Sequence, residues 1–164
     1  MKKIFLLILL SAFLVSCGSS HKATSSSKPA SSKKISSKKS ETLVKYAKSF
    51  EGTPYKFGGT TKKGMGCSGL VYMSYKKVGV TMPRISREMA TKGTRISLSK
   101  TDKGDLVFFK TNKNKKTINH VGLVVENKNG LIRFIHSTSS LGVIISSLEE
   151  RYWKNVFVEV RRVL

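Results

Sequence analysis

The segment from Gly64 to Val80 constrains the fold more than any other part of the chain. From Cys67 onward, small or apolar residues recur at the spacing of one helix face, at Leu70, Val71, Ser74, Tyr75 and Val78. Gly79 then predicts the end of the helix, and Val80 is placed to pack back against it. The pattern predicts a buried helix whose first residue is Cys67.

Cys67 is predicted to be a nucleophile. The free N–H groups and the positive end of the helix dipole at a helix start favour a thiolate over a thiol. The alternative is a buried cysteine that packs as a small hydrophobic side chain. A helix-start position directly after a glycine-rich approach favours the reactive role; the glycines are Gly58, Gly59, Gly64 and Gly66.

The first seventeen residues predict a lipoprotein signal. Two lysines precede an apolar run, residues 4–10, that is too short to span a bilayer. Residues 14–17 resemble a bacterial lipobox, so we expect residues 1–16 to be removed and Cys17 to carry lipid; an ordinary secretory signal is the alternative. Cys67 then has no cysteine partner within the domain, and a single thiol in an exported domain suggests reactivity.

Residues 17–40 are predicted to be the lipidated cysteine and a disordered tether. Residues 18–40 contain ten serines, six lysines and no acid, a composition that buries too little apolar surface to fold. One domain is expected at 41–164. The formal net charge of +22 attracts anionic membranes and wall polymers, whereas export argues against a nucleic-acid partner.

The rest of the chain predicts an α+β domain. Ser40 is expected to cap a first helix that ends at Gly52, and a short helix is expected near residues 87–92. Alternating patterns predict strands at residues 105–110, 120–126, 131–136, 143–146 and 156–163. Helices followed by strands favour an antiparallel sheet, here of about five strands.

Two histidines are expected on one hairpin. A loop of five or three residues centred on Lys128 places His120 directly opposite His136. If the centre of that loop moves by one residue, the two histidines become diagonal neighbours on one face. A loop with an even number of residues places them on opposite faces of the sheet. One histidine can take the thiol's proton while the other orients it. The alternatives are a Cys-His-His zinc site and two structural histidines.

These features together resemble the NlpC family of papain-like bacterial cell-wall cysteine peptidases. The resemblance covers nearly all of residues 41–164, and it rests on six short motifs in the family's order: residues 55–59, 67–71, 83–86, 104–109, 120–124 and 135–137. It implies a papain-like fold in which the helix that carries the cysteine packs on the antiparallel sheet.

The resemblance also implies a role for each site residue. Cys67 is the nucleophile, His120 the general base and acid, and His136 the orienting residue. Tyr55 matches a tyrosine that helps to bind the oxyanion, with packing in a turn as the alternative, and substrate contacts are expected at Ser68, Arg84 and Ser86.

One position departs from the family. Most members carry aspartate directly before the nucleophile, whereas this chain carries Gly66. In some relatives that aspartate binds the free amine of a stem peptide. Its absence predicts little demand for a free amine and action on stems still attached to glycan.

The expected function is hydrolysis of stem-peptide amides in peptidoglycan through a thioester on Cys67. The resemblance implies cleavage of the γ-D-glutamyl-diaminopimelate bond or, as in some members, of the D-alanyl-diaminopimelate crosslink, and it implies no metal or cofactor. The expected protein is a monomer held at the membrane by lipid on Cys17. Gly18, in place of the aspartate that retains lipoproteins at the inner membrane, predicts an outer-membrane location in cells with two membranes. The alternatives are a non-catalytic wall-binding lipoprotein and a related acyltransferase or amidase.

Overall fold

The structure is a computed structural model that describes residues 29–112, 114 and 116–164. The predicted signal, Cys17 and the first part of the predicted tether lie outside the described residues. Within that part of the chain there are four α-helices and a 3-10 turn, at Pro29–Lys48 (α1), Cys67–Lys77 (α2), Ser86–Met89 (α3), Leu98–Lys100 (the 3-10 turn) and Arg151–Val156 (α4). None of the described helices is both long and apolar enough to cross a membrane.

The strands form one small hairpin and one large antiparallel sheet. The hairpin is Thr60–Thr61 (β1) with Gly64–Met65 (β2). The six-stranded sheet has the order β3-β8-β4-β5-β6-β7, and its strands are Thr94–Ile96 (β3), Leu106–Phe109 (β4), His120–Lys128 (β5), Leu131–Thr138 (β6), Gly142–Ser147 (β7) and Phe157–Arg162 (β8). The α+β prediction is confirmed, with one more strand in the large sheet than expected and a separate two-stranded hairpin.

Helix α2 begins and ends as predicted. Cys67 is its first residue, and Gly79 after it has the left-handed φ of 76°. The N–H of Gly79 donates to the carbonyl of Lys76 at 3.1 Å, and that of Val80 to Tyr75 at 3.0 Å. This pair of hydrogen bonds is the Schellman motif, which satisfies the last carbonyls of the helix.

The predicted start of the first helix is wrong. Helix α1 begins at Pro29 rather than after Ser40, so it includes residues 29–40 of the predicted tether. The physical reason is cooperativity, because extending a helix whose far end already packs in the core costs little. Lysine is a good helix former, and proline is well suited to the first helical position.

The sheet separates two apolar clusters. Helices α1 and α2 pack on one face through residues such as Leu43, Leu70, Val121 and Leu123. The other face carries a second cluster that includes Trp153 of α4. Side chains alternate along a strand, so residues two or four apart share a face. His120 therefore lies on the same face as Val124, and His136 on the same face as Phe134, which is the face of the second cluster.

The register of the β5–β6 hairpin differs from the prediction. Lys128 pairs with Leu131, so the loop has two residues rather than an odd number. That loop alone would put the two histidines on opposite faces. The register shifts by one between Val124 and Glu126, where Val125 is the extra residue of a β-bulge. His120 and His136 are therefore diagonal neighbours on one face, not directly opposite.

Candidate active site

Tight backbone contacts hold the start of α2 against the loop before it. The N–H of Met65 donates to the carbonyl of Pro54 at 2.9 Å, and that of Gly66 donates to Gly59 at 3.0 Å. A Cβ at Gly69 would lie only 2.0 Å from the carbonyl oxygen of Gly59. The glycines thus permit a close approach that places Cys67 beside this loop.

Two contacts join the start of α2 to the strands that carry the histidines. The backbone N–H of Val121, the residue after His120, lies near enough to the Cys67 sulfur to lower the pKa of the thiol. The hydroxyl of Ser137, the residue after His136, donates to the carbonyl of Met65 at 2.7 Å. The structure therefore brings Cys67 to the segments that carry both predicted histidines.

The strands β5 and β6 diverge at this position. Their last mutual pair toward this end is Leu123 with Ile135, and His120, Val121 and Gly122 pair with β4 instead. The N–H of Val121 is thereby available to the thiol of Cys67.

The two histidines are hydrogen bonded to each other. The Nε2 atom of His120 lies 2.9 Å from Nδ1 of His136, and Nε2 of His136 lies 3.1 Å from Oγ of Ser146. Both rings are buried. Because Nε2 of His120 is engaged by His136, Nδ1 is the ring nitrogen of His120 that this hydrogen bond leaves open.

Trp153 covers the histidine pair on the face opposite α2. Its ring stacks on His120 at 5.4 Å between centroids, and it meets His136 edge-on at 4.5 Å. Neither Trp153 nor Ser146 was predicted from the sequence. The single tryptophan of the chain was an available signal, whereas nothing distinguished Ser146 from the other serines.

Burial shifts the pKa of all three titratable groups toward the neutral form. It lowers the pKa of His120 from 6.5 to about 4. Burial, and then the charge of His120, lower the pKa of His136 to about 3. Burial also raises the pKa of the Cys67 thiol, although the backbone N–H groups of Val121, Ser68 and Cys67 act in the opposite direction.

The expectation of a stabilised thiolate is therefore wrong in its net direction. The helix start supplies the expected N–H groups, but burial of the sulfur outweighs them. Burial therefore favours the neutral thiol of Cys67 and the neutral imidazole of His120. Within the described residues, no group of three or more His, Cys, Asp or Glu side chains is arranged to hold a metal ion. The facing nitrogens of His120 and His136 bind each other instead.

The sequence and the fold both match one known family. Residues 52–162 match the model of the NlpC/P60 family. The chain belongs to the NlpC/P60 family. It is 36% identical to "Probable endopeptidase NlpC" of Escherichia coli K12 over 97% of this chain and 99% of that protein.

Two further comparisons cover the domain. The chain is 40% identical over 77% of its length to "Murein DD-endopeptidase MepS/Murein LD-carboxypeptidase" of Escherichia coli K12, and it spans 63% of that protein. The crystal structure of an NlpC/P60 family protein from Bacillus cereus superposes with a TM-score of 0.69 at 30% identity, over 76% of this chain and 40% of that one. The NlpC resemblance is thereby confirmed.

The remaining predicted residues of this NlpC/P60 domain lie around the same loop. Tyr55 forms a backbone bridge with Met65, and 39% of its surface is exposed. The guanidinium of Arg84 donates to the carbonyl of Gly58 at 2.9 Å and lies over the ring of Tyr72. Arg84 therefore braces the loop that carries Tyr55.

The two predicted serine contacts differ in exposure. Ser68 is the second residue of α2 and is half-buried, next to Cys67. Ser86 is buried as the first residue of α3. Substrate contact by Ser68, Arg84 and Ser86 stays a prediction.

Proposed function

We propose that this NlpC/P60 domain is a peptidoglycan hydrolase that cuts stem-peptide amides through a thioester on Cys67. The observation that carries the proposal is the position of the thiol. It lies at the first residue of α2, near the N–H of Val121, which directly follows His120 of the hydrogen-bonded histidine pair. Relatives named as NlpC and murein endopeptidases support the substrate class.

The acylation step follows from these positions. Nδ1 of His120 takes the proton of the Cys67 thiol while the sulfur attacks the carbonyl carbon, and the carbonyl electron pair moves onto oxygen. Backbone N–H groups at the start of α2, with the hydroxyl of Tyr55, stabilise the oxyanion. As this intermediate collapses, the C–N bond breaks, and His120 returns its proton to the departing amine.

Deacylation uses the same groups in reverse order. His120 takes a proton from water, whose oxygen attacks the thioester carbon. The C–S bond then breaks, and His120 returns the proton to the sulfur. Because burial favours the neutral forms of Cys67 and His120, proton transfer accompanies attack instead of preceding it.

For the scissile bond, we propose the D-alanyl-diaminopimelate crosslink first. The 40% identity to a protein named a murein DD-endopeptidase supports this choice. The γ-D-glutamyl-diaminopimelate bond is the second candidate. Cleavage of the first bond converts crosslinked dimers into monomers, whereas cleavage of the second shortens the stem to a dipeptide.

The deciding experiment is digestion of purified sacculi by the full chain, with Cys67→Ala as control and mass spectrometry of the soluble and residual muropeptides. Hydrolysis products from the wild type alone support the proposal, and their identity selects the bond. Binding to sacculi without any product would favour a non-catalytic wall-binding protein. Products joined to a new amine would favour an acyltransferase.

We further propose that Gly66 relaxes the demand for a free amine. An ideal Cβ at position 66 would lie 3.2 Å from the carbonyl oxygen of Lys56 and 3.3 Å from the N–H nitrogen of Gly58, so a larger residue requires shifts of a few tenths of an ångström. We therefore expect Gly66→Asp to fold and to favour free tetrapeptides over intact sacculi relative to the wild type. An unchanged preference would contradict this role.

We also propose that lipid on Cys17 anchors the protein in the cell envelope, at the outer membrane where there are two membranes. The eleven residues between Cys17 and Pro29 span at most about 40 Å. Membrane fractionation in high salt tests the anchor, because salt removes the electrostatic attraction of the lysines. A Cys17→Ser chain that still sediments with membranes would contradict lipid anchoring.

A further inference from the structure

Ser146 is a buried hydroxyl behind the histidine pair. It lies on β7 opposite Phe134, and only 5% of its surface is exposed. Its Oγ atom is 3.1 Å from Nε2 of His136. Burying a hydroxyl without a hydrogen-bond partner costs free energy, and the contact with His136 offsets that cost.

We propose that Ser146 is a positioning residue that stabilises the tautomers in which His120 can act as a base. It acts by accepting the Nε2–H of His136, and it does not touch the substrate. This inference deepens the proposed function and rests on it.

The hydrogen positions follow from the requirement for a base. To accept the proton of Cys67, Nδ1 of His120 must carry a lone pair, so the ring proton is on Nε2. That proton is donated across 2.9 Å to Nδ1 of His136, which must therefore be bare. The proton of His136 is then on Nε2, and its acceptor is Oγ of Ser146.

Loss of the hydroxyl permits the opposite arrangement. Without an acceptor at Nε2, the proton of His136 is better placed on Nδ1, where it can donate to Nε2 of His120. The proton of His120 then moves to Nδ1, the atom that must be bare to act as the base. A serine hydroxyl can also donate to a bare Nε2, but an orphaned buried N–H is costlier than an orphaned lone pair, so loss of Ser146 shifts the histidine pair toward the inactive tautomer.

Few charged groups compete for this role. Burial is the main cause of the lowered pKa of His136, and the one charge that adds to it is that of His120. Lys154 of α4 forms an ion pair with Glu149 at 3.4 Å, and both side chains are largely exposed. The aromatic rings that surround the pair carry no charge. Along the described chain, the hydrogen bonds of the His136 ring run to His120 and Ser146.

The test uses Ser146→Ala, with Ser146→Thr to restore the hydroxyl and Ser74→Ala as a matched control. Ser74 is also buried, but its hydroxyl bonds the carbonyl of Leu70 within α2. We expect kcat/KM of Ser146→Ala to fall about five- to tenfold through kcat, as for loss of one neutral hydrogen bond. Ser146→Thr should recover most of the loss, and Ser74→Ala should keep wild-type kcat/KM.

The second readout is nitrogen NMR of the resting full chain, labelled at histidine and assigned with His120→Gln and His136→Gln variants. The wild type should show both rings protonated at Nε2, and Ser146→Ala should show Nδ1–H forms. This readout needs no substrate, so it stays informative if sacculi are not cleaved. Unchanged tautomers in Ser146→Ala, or an equal kcat loss in Ser146→Thr, would overturn the proposal.

Discussion

Adding a single methyl group at Gly69 is predicted to lower activity strongly while changing the free energy of unfolding only slightly. The Cβ of Gly69→Ala would lie 2.0 Å from the carbonyl oxygen of Gly59, whereas ordinary contact begins at 3.4 Å. The obstacle is backbone, so it cannot rotate away as a side chain can. Either the loop or the start of α2 must move by more than 1 Å, and that movement stretches the Gly66–Gly59 hydrogen bond beside Cys67.

The expected stability change is small because two effects oppose each other. Alanine is favoured over glycine inside a helix by about 1 kcal/mol. Overpacking a close contact costs about 1–3 kcal/mol. The net loss in the free energy of unfolding should therefore be about 0–2 kcal/mol. The effect on catalysis should be much larger, since a displacement of about 1 Å near the reacting atoms can cost about 100-fold in rate.

The assay compares hydrolysis of sacculi with urea unfolding for Gly69→Ala and Gly66→Ala. The second variant is the matched control, because its Cβ meets backbone at 3.2 Å and requires only a slight adjustment. We expect Gly66→Ala to keep most of its activity and Gly69→Ala to lose about 100-fold while folded. A folded Gly69→Ala protein with activity within twofold of the wild type would refute the argument.

Three further changes test the surroundings of the site. Because burial lowers the pKa of His120 to about 4, its imidazole stays neutral as the pH falls below 6.5. We therefore expect kcat/KM to decline only nearer pH 4. A decline centred at pH 6.5 or above would contradict this expectation. Trp153→Ala removes the ring that covers His120, so we expect that decline to move to higher pH and stability to fall by about 3–5 kcal/mol. Trp153→Phe, as its control, should move the decline less. Arg162→Ala leaves the buried carboxylate of Asp105 without two hydrogen bonds of 2.7 and 2.8 Å, which should cost about 2–3 kcal/mol in urea unfolding. A loss below about 0.5 kcal/mol would show that this ion pair contributes no more than a surface pair.

The parts of the fold that local patterns determine could be predicted. The apolar spacing after Cys67 and the stop at Gly79 predict α2, because helix periodicity and a left-handed C-terminal glycine are local properties. The strands β4 to β8 were each found within about two residues of their predicted bounds for the same reason. The strand β3 was missed because its three residues, Thr94–Ile96, are too few to show alternation.

Features that depend on distant partners could not be predicted. Helix α4 lies just before the last strand, and its Trp153 is buried only because the histidines and Phe109 lie beneath it. Ser146 gains its role from a strand neighbour whose register the sequence leaves open. The sign of the pKa shift at Cys67 was wrong for a related reason. The helix start is a local feature, whereas burial of the sulfur depends on the whole packed site.

The β-bulge at Val125 is the clearest case of a small feature that decides the site. A two-residue turn suits Asn129 and Gly130, whose positive φ angles of 54° and 86° match a tight hairpin. That turn sets a register in which His120 and His136 would face opposite sides of the sheet. The extra residue of the bulge shifts the in-and-out alternation of β5 side chains by one position. The chain can therefore have the two-residue turn and still place both histidines on one face. Because the bulge moves residues 120–124 to the other face relative to β6, it positions both His120 and the apolar residues that contact α2.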